Sequence, residues 1–466
     1  MQLDARSINY YHMDRQNFVN FNNLFKLSRK GDNQMDWKQE YKKKVVTAEE
    51  AVKHIKSGDR LVFSHAVAEA TTITDALVAN KEQYENVEID HYIPMGKAEY
   101  CLPENAKHFR HNTFCAGPKT RDAINSSRGD YTPGFFYETP TYFKTTLPVD
   151  VAIVQVSRPD KHGYCSYGLS VDYIKPAAEA AKMVIVEAND QCPRTFGDCF
   201  IHVSEIDYIV ETSRPLIELQ PTVITDVERA IGENCASLIE DGSTLQLGIG
   251  AIPDSVLLFL DRKKDLGLHS EMLSDSVVGL VEKGIITGKK KGLHDGLLVA
   301  SFAMGTRRLY DFMDDNPLVS LCPITYVNDP RVIAQNNKVV SVNSCIQVDF
   351  SGQVVAESVG SKQISGVGGQ VDFVRGATMS PGGKSIIACS STTNGGKISK
   401  IVPLLDYGAA VTTSRNDVNY IITEYGIAQL KGKTIKQRAR ALINIAHPKF
   451  RDELIQKFEE IYATKF

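Results

Sequence analysis

Several stretches of this chain are apolar at nearly every position, with scarcely any alternation of polar residues. They are VDVAIVQVS (Val149–Ser157), AKMVIVEAN (Ala181–Asn189), NKVVSVN (Asn337–Asn343) and Gly296–Ala303. A strand can be uniformly apolar only if both faces of its sheet are covered, and that is the habit of parallel sheets flanked by helices. The segments between these runs have helical spacing. TAEEAVKHIKSGD has Thr47 as N-cap, Glu50 completing a capping box, and Gly58 as its stop. RLVFSH and then TITDALVAN follow as strand and helix. The alternation predicts an α/β fold with largely parallel sheets.

The chain also echoes itself. SGDRLVFSHAVAEATTITDALV resembles DGSTLQLGIGAIPDSVLLFL, and VSRPDKHGYCSYG (Val156–Gly168) resembles IQVDFSGQVVAESVG (Ile346–Gly360). In both halves the two features stand about a hundred positions apart, so two related α/β domains are expected. RPLIELQPT (Arg214–Thr222), with two prolines, marks the boundary. The division is residues 1–34, an extension; residues 35–216; and residues 217–466. A duplicated frame places the site at the interface. Residues 1–34 carry Arg6, Arg15, Lys26, Arg29 and Lys30, but Asp4, Asp14 and Asp32 intrude. They read as a disordered extension or an upstream start before Met35, with a cytoplasmic protein expected. A transit peptide would place it in the mitochondrial matrix instead.

Composition removes several function classes. The net charge is −3, which offers no global positive field for nucleic acid or an anionic membrane. No apolar run approaches the ~20 residues of a membrane helix. Nine cysteines without a CxxC pair argue against a disulfide framework or zinc ribbon and fit a reducing compartment. Cys165 and Cys389 read as inert buried thiols, and Lys289–Lys291 as a solvated loop. His108 and His111 lack the carboxylate or thiol neighbours of a metal site, so no metal is expected.

Three segments can carry chemistry. In LQLGIGAIPDS (Leu245–Ser255) a strand runs through Gly248 and Gly250 into a helix start, where free N–H groups would hold a phosphate or an oxyanion. Pro253 replaces the third glycine of a dinucleotide fingerprint, which argues against nicotinamide. In GLHSEMLSDSVVGLVEKG (Gly267–Gly284) Glu271 follows a strand, where α/β folds open their active-site crevice. Ser358–Thr392 holds seven glycines, including Gly366 and Gly369, and Lys384 at the end of PGGK; such a loop suits a long anionic ligand. His65, in the loop that mirrors Gly248–Gly250, is a candidate for an acyl-pocket wall.

Together these segments resemble the acetyl-CoA hydrolase/transferase family, and within it the 4-hydroxybutyrate and butyrate–acetate CoA-transferase branch. The resemblance runs colinearly through MDWKQEYKKK, HFRHNTFCAGPKTRDAIN, VDVAIVQVSRPDKHGYCSYGLSVD, PRTFGDCFIHVSEIDYIVE, LQLGIGAIPDSV, GLHSEMLSDSVVGL, SVNSCIQVDFSGQVVAES, KQISGVGGQVDFVRGA and AAVTTSRNDVNYIITEYGIAQLKGKT. It implies two CoA-transferase-type domains and a nucleophilic glutamate at Glu271. It also implies CoA contacts at Gln246, Leu247, Gly248, Ile249 and Gly250, with further contacts at Ile346, Gly366, Gly369 and Lys384. The expected substrates are a short-chain acyl-CoA and a carboxylic acid, joined by ping-pong chemistry through a glutamyl-CoA thioester. No tightly bound cofactor is expected, and a homodimer is the default assembly. An acyl-CoA hydrolase using the same glutamate, and a non-catalytic CoA sensor, are the alternatives.

Overall fold

The computed structural model describes residues Asp36–Phe466; the predicted extension lies outside the described residues. Its frame is two sheets. The first has seven strands, all parallel, in the order Tyr208–Thr212, Met183–Asn189, Val151–Val156, Arg60–Phe63, Val87–Asp90, Phe109–Thr113 and Gly129–Tyr131. The chain enters at the centre, steps outward through three strands, returns to the other side of the first strand, and steps outward again. All six residues of Val151–Val156 are buried, as a run without alternation requires.

The second sheet repeats this path. Its strands run Gly426–Gln429, Tyr420–Thr423, Lys384–Ala388, Val339–Ser344, Thr244–Leu247, Gly267–His269, Leu298–Ala300, Val319–Leu321 and Phe196–Gly197. Only Gly426–Gln429, folded back as a hairpin, is antiparallel. The paired sequence echoes fall at equivalent places: one spans the first strand of each sheet, and the other follows the strand laid beside it after the reversal.

One strand crosses the expected division. Phe196–Gly197 comes from the first half, yet pairs with Ser320 and Leu321 at the edge of the second sheet. The halves are joined elsewhere by backbone hydrogen bonds. Val171 donates to Ser301 (3.0 Å), Ala303 to Leu169 (2.8 Å) and Ile324 to Asp172 (3.0 Å). The largest apolar cluster is also shared, holding Val62 and Tyr92 with Leu245, Met272 and Phe302.

Local expectations are met or adjusted for stated reasons. The capping box forms: Glu50 N–H donates to Thr47 Oγ1 (3.1 Å) and Thr47 N–H to Glu50 Oε2 (2.9 Å). The helix stops at Val52, and turns carry the chain to Gly58, whose φ is +81°. Cys165 and Cys389 are buried as expected. The Lys289–Lys291 run is only partly solvated. Lys291 lies buried over Gly267, its Nζ donates to Leu297 O (2.9 Å), and burial pushes its pKa down to about 7. His108 Nδ1 donates to the Tyr84 carbonyl (2.8 Å) and His111 Nδ1 to the Ile89 carbonyl (3.1 Å), so both serve packing. Among the described residues no helix is long and apolar enough to cross a membrane.

Gly197 has a φ of +118°, and a Cβ there would overlap the Leu321 backbone. Gly197→Ala is therefore expected to detach the crossing strand and lower stability by roughly 1–3 kcal/mol, measured by chemical denaturation. An unchanged midpoint would show that this strand does not tie the halves together.

Candidate active site

In each sheet the strand order reverses beside the first strand. Neighbouring connections diverge there and leave a crevice at the C-terminal strand ends. In the second sheet the reversal lies between Thr244–Leu247 and Val339–Ser344. A cavity of about 580 Å³ opens there and extends to the first half; its lining includes Gln246–Pro253, Glu271, Val342–Cys345, Ser365–Gln370, Ala388–Ser390 and Lys400, with His65, Tyr92, Cys115 and Phe136 opposite.

The GIG turn forms one wall. Gly250 has a φ of +111°, a conformation reserved for glycine, and the helix Ala251–Leu258 starts immediately after it. A Cβ at Gly248 or Gly250 would meet nothing within 4 Å. These glycines are therefore not demanded by packing against the protein. They keep the turn's backbone open to the cavity, beside the first-turn N–H groups that a helix cannot satisfy internally.

Glu271 sits on the floor. Ser270 Oγ clamps the neighbouring strand, donating to Leu247 O (3.1 Å) and accepting from Leu247 N–H (3.3 Å). The Glu271 carbonyl accepts from Ser301 N–H (2.9 Å) and Phe302 N–H (3.3 Å). With its backbone held on both sides, the carboxylate is presented to the cavity. Its Oε2 accepts from Asn328 Nδ2 at 2.7 Å. Gly369 lies so close that a Cβ there would overlap both Oε2 and Asn328 Nδ2. The helix Gln370–Met379 begins at the next residue, so its positive end also faces the carboxylate.

Burial dominates the electrostatics of this group. It pushes the Glu271 pKa up to about 7, against the pull of Asn328, His65 and the Gly369 backbone. An unperturbed glutamate, with a pKa of about 4.3, would be fully ionised at neutral pH; burial shifts this one toward its protonated form.

The opposite wall is aromatic. The His65 ring lies 4.6 Å from Phe302 and 5.4 Å from Tyr92, and Phe136 lies 4.3 Å from Tyr92. His65 Nδ1 is 2.7 Å from Asp172 Oδ2, while its Nε2 and the Tyr92 hydroxyl have no hydrogen-bond partner among the described residues.

Gln246, Leu247, Gly248, Ile249, Gly250, Gly366, Gly369 and Glu271 thus share one cavity. Gly366 is wedged against Phe114 and Cys115, where a Cβ would overlap backbone, and this inserts the Gly-rich loop into the first half. Ile346 and Lys384 are left outside the lining. Ile346 lies past the strand end and donates its N–H to Val355 O (2.8 Å), while its neighbour Cys345 faces the cavity. Lys384 opens the strand Lys384–Ala388 at the end remote from the cavity, about 13 Å from Ala388 at 3.3 Å per residue. Its Nζ bonds Glu240 Oε1 (2.7 Å) and Leu238 O (3.0 Å). Lys400 supplies the cavity's lysine instead, and makes no ion pair among the described residues. Sequence reasoning also missed Asn328, in the unremarkable context YVNDP, because only the fold brings it to Glu271.

A duplicated, doubly wound α/β enzyme, with a carboxylate presented to the cavity between its halves, is the class that this fold and cleft define. Profiles of the acetyl-CoA hydrolase/transferase N-terminal and C-terminal domains match residues 29–219 and 305–458. The chain is 62% identical to 4-hydroxybutyrate coenzyme A transferase of Clostridium kluyveri, over 91% of this chain and 100% of that one. It is 40% identical to butyryl-CoA:acetate CoA-transferase of Anaerostipes caccae, over 91% and 98%. The crystal structure of 4-hydroxybutyrate CoA-transferase from Porphyromonas gingivalis superposes with a TM-score of 0.80 at 42% identity, covering 91% of this chain and 100% of that one. The chain belongs to the acetyl-CoA hydrolase/transferase family, and within it is a CoA-transferase.

Two expectations follow. A carboxylate attacks only as its anion, so with Glu271 as the attacking group kcat/KM for acyl-CoA should rise with pH to a plateau, with its midpoint near 7. A midpoint near 4.5 would show that burial does not govern this group. Lys400→Ala should raise KM for acyl-CoA about tenfold, an effect that fades in salt, whereas Lys384→Ala should leave KM within about twofold. The reverse ranking in steady-state assays would return the role to Lys384.

Proposed function

We propose that this enzyme moves CoA from a short-chain acyl-CoA to a carboxylic acid such as acetate, with Glu271 as covalent nucleophile. The observation that carries the reading is the Glu271 carboxylate, held by Asn328 between the GIG turn, Gly369 and an aromatic wall. An ionised carboxylate oxygen attacks the acyl-CoA carbonyl, and the C–S bond breaks to give an acyl–glutamyl anhydride and CoA thiolate. The thiolate attacks the glutamyl carbonyl, releasing the first acid as its carboxylate and leaving a glutamyl–CoA thioester. A second carboxylate attacks that thioester and expels the thiolate. The thiolate then takes the new acyl group from the anhydride and restores the Glu271 carboxylate. Each step exchanges one acyl bond for another, and no ATP enters the balance.

The surroundings fit those demands. The N–H groups around Gly248–Gly250 and Gly369 are the candidate stabilisers of oxyanions. Lys400 and the Gly-rich loop would hold the anionic remote part of CoA, whose binding energy orients the thioester. The aromatic wall suits a short acyl chain; the unpartnered His65 Nε2 and Tyr92 hydroxyl would meet a hydroxyl on it. This favours 4-hydroxybutyryl-CoA, with butyryl-CoA and acetyl-CoA as further donors. The same reading divides the chain into residues 35–216 and 217–466, the connecting stretch having neither helix nor strand between Thr212 and Asp226. It makes the protein a cytoplasmic homodimer. All nine cysteines are free, which fits a reducing compartment.

The test is mass spectrometry after incubation with butyryl-CoA or 4-hydroxybutyryl-CoA alone. A CoA adduct is expected on the peptide carrying Glu271, and Glu271→Ala should lack it and lose activity by about 10⁴-fold while staying folded. Near-normal turnover in that variant would end the mechanism. Steady thiol release without an acceptor acid would make the protein a hydrolase.

A further inference from the structure

A second buried carboxyl stands one side chain behind Glu271. Asp372 belongs to the first turn of the helix Gln370–Met379, and its side chain is 1% exposed. Its Oδ2 accepts from Tyr137 N–H and from Asn328 Nδ2, both at 3.3 Å. The two hydrogens of the Asn328 amide are therefore divided, one toward Glu271 Oε2 and one toward Asp372 Oδ2. Asn328 Oδ1 is buried without a partner.

An amide can be reversed end for end at almost no steric cost, so its hydrogen-bond partners decide which end faces the nucleophile. Reversed, Asn328 would turn its oxygen toward two carboxyl groups. With Asp372 present, two acceptors hold the nitrogen on that side; without it, Glu271 alone does so. We propose that Asp372 is a positioning residue for the transfer reaction, accepting a hydrogen bond that locks the Asn328 amide with its N–H aimed at the nucleophile. This rests on the reading of Glu271 as nucleophile.

The groups around Asp372 fit an uncharged acceptor. Glu271 faces it through Asn328; Glu138 and the Tyr137 ring approach from the turn at 136–138; Asp329 adjoins Asn328; His65 (on Asp172), Tyr92 and Cys115 lie across the cavity around Glu271. Burial, with the Glu271 charge adding, holds the Asp372 carboxyl well above the usual carboxylate range. An asparagine at position 372 would keep an oxygen where Tyr137 and Asn328 need it, whereas an alanine would remove it.

Steady-state kinetics on Asp372→Ala and Asp372→Asn test this. Alanine is expected to lower kcat by about 10–100-fold, the range for one misdirected hydrogen bond to a charged group, with KM for acyl-CoA within about threefold. Asparagine should restore kcat to within about threefold of wild type, with the acid limb of its pH profile unmoved. Wild-type kcat in the alanine variant would overturn the proposal, and so would an asparagine variant as impaired as alanine. If the alanine variant fails to fold, the asparagine variant decides alone: a low kcat, or an acid limb shifted down by a unit, shows that Asp372 acts as a charge and not as an acceptor. A wild-type enzyme without a CoA adduct on the Glu271 peptide would instead overturn the reading of the nucleophile beneath it.

Discussion

A carboxylate largely covered by protein, at the floor of the cavity between the halves, is the constraint around which this molecule is arranged. Desolvation disfavours the charged form, and Glu271 is covered enough that its pKa climbs to about 7. What keeps the anion accessible is a small set of compensations: the Asn328 amide, the Gly369 backbone and the end of the Gln370–Met379 helix. They come from two distant parts of the chain, Asn328 from one, and Gly369 with the helix it opens from the other. Their convergence depends on Ser270 and the Ser301–Phe302 backbone fixing the strand end, and on the glycine at 369 leaving no side chain in the way. Burial makes such an anion less available but, in the role proposed for Glu271, more reactive once ionised, because a poorly solvated carboxylate has less to lose on attack.

The same dryness bears on the choice between transfer and hydrolysis. A glutamyl thioester survives to meet a second acid only if water is kept from its carbonyl. Tyr92, Phe136, Phe302 and Met304 line the side of the cavity away from the GIG turn, and Tyr92 and Phe136 are almost wholly buried. The cover over Glu271 and the aromatic wall facing it come from one packing arrangement between the halves.

Much of the frame was legible in the sequence. Parallel strands buried on both faces, such as Val151–Val156, announce themselves by losing the alternation of a one-sided sheet. The paired echoes identified equivalent positions because the two sheets follow the same path. Glu271 and the GIG turn were readable because the C-terminal ends of strands are where α/β folds hold ligands. That rule also shows why Lys384 misled: PGGK precedes its strand, which puts the lysine at the far end. Asn328, Asp372 and Lys400 left no local signal, since only the fold brings them to Glu271 or to the cavity. Lys291 was hidden by its setting, a basic run in which one member folds its stem over a glycine. The two-residue strand Phe196–Gly197 is too short to show any periodicity.

That short strand has a mechanical meaning. A chain whose halves are linked end to end can swing about the connection, opening a cleft as a hinge does. Here a segment of the first half is stitched into the far edge of the second half's sheet. The two bodies are therefore fastened at points on either side of the cleft, and a wide hinge motion would tear sheet hydrogen bonds. A wide swing of the halves is therefore opposed by the pairing of this one short strand with Ser320 and Leu321.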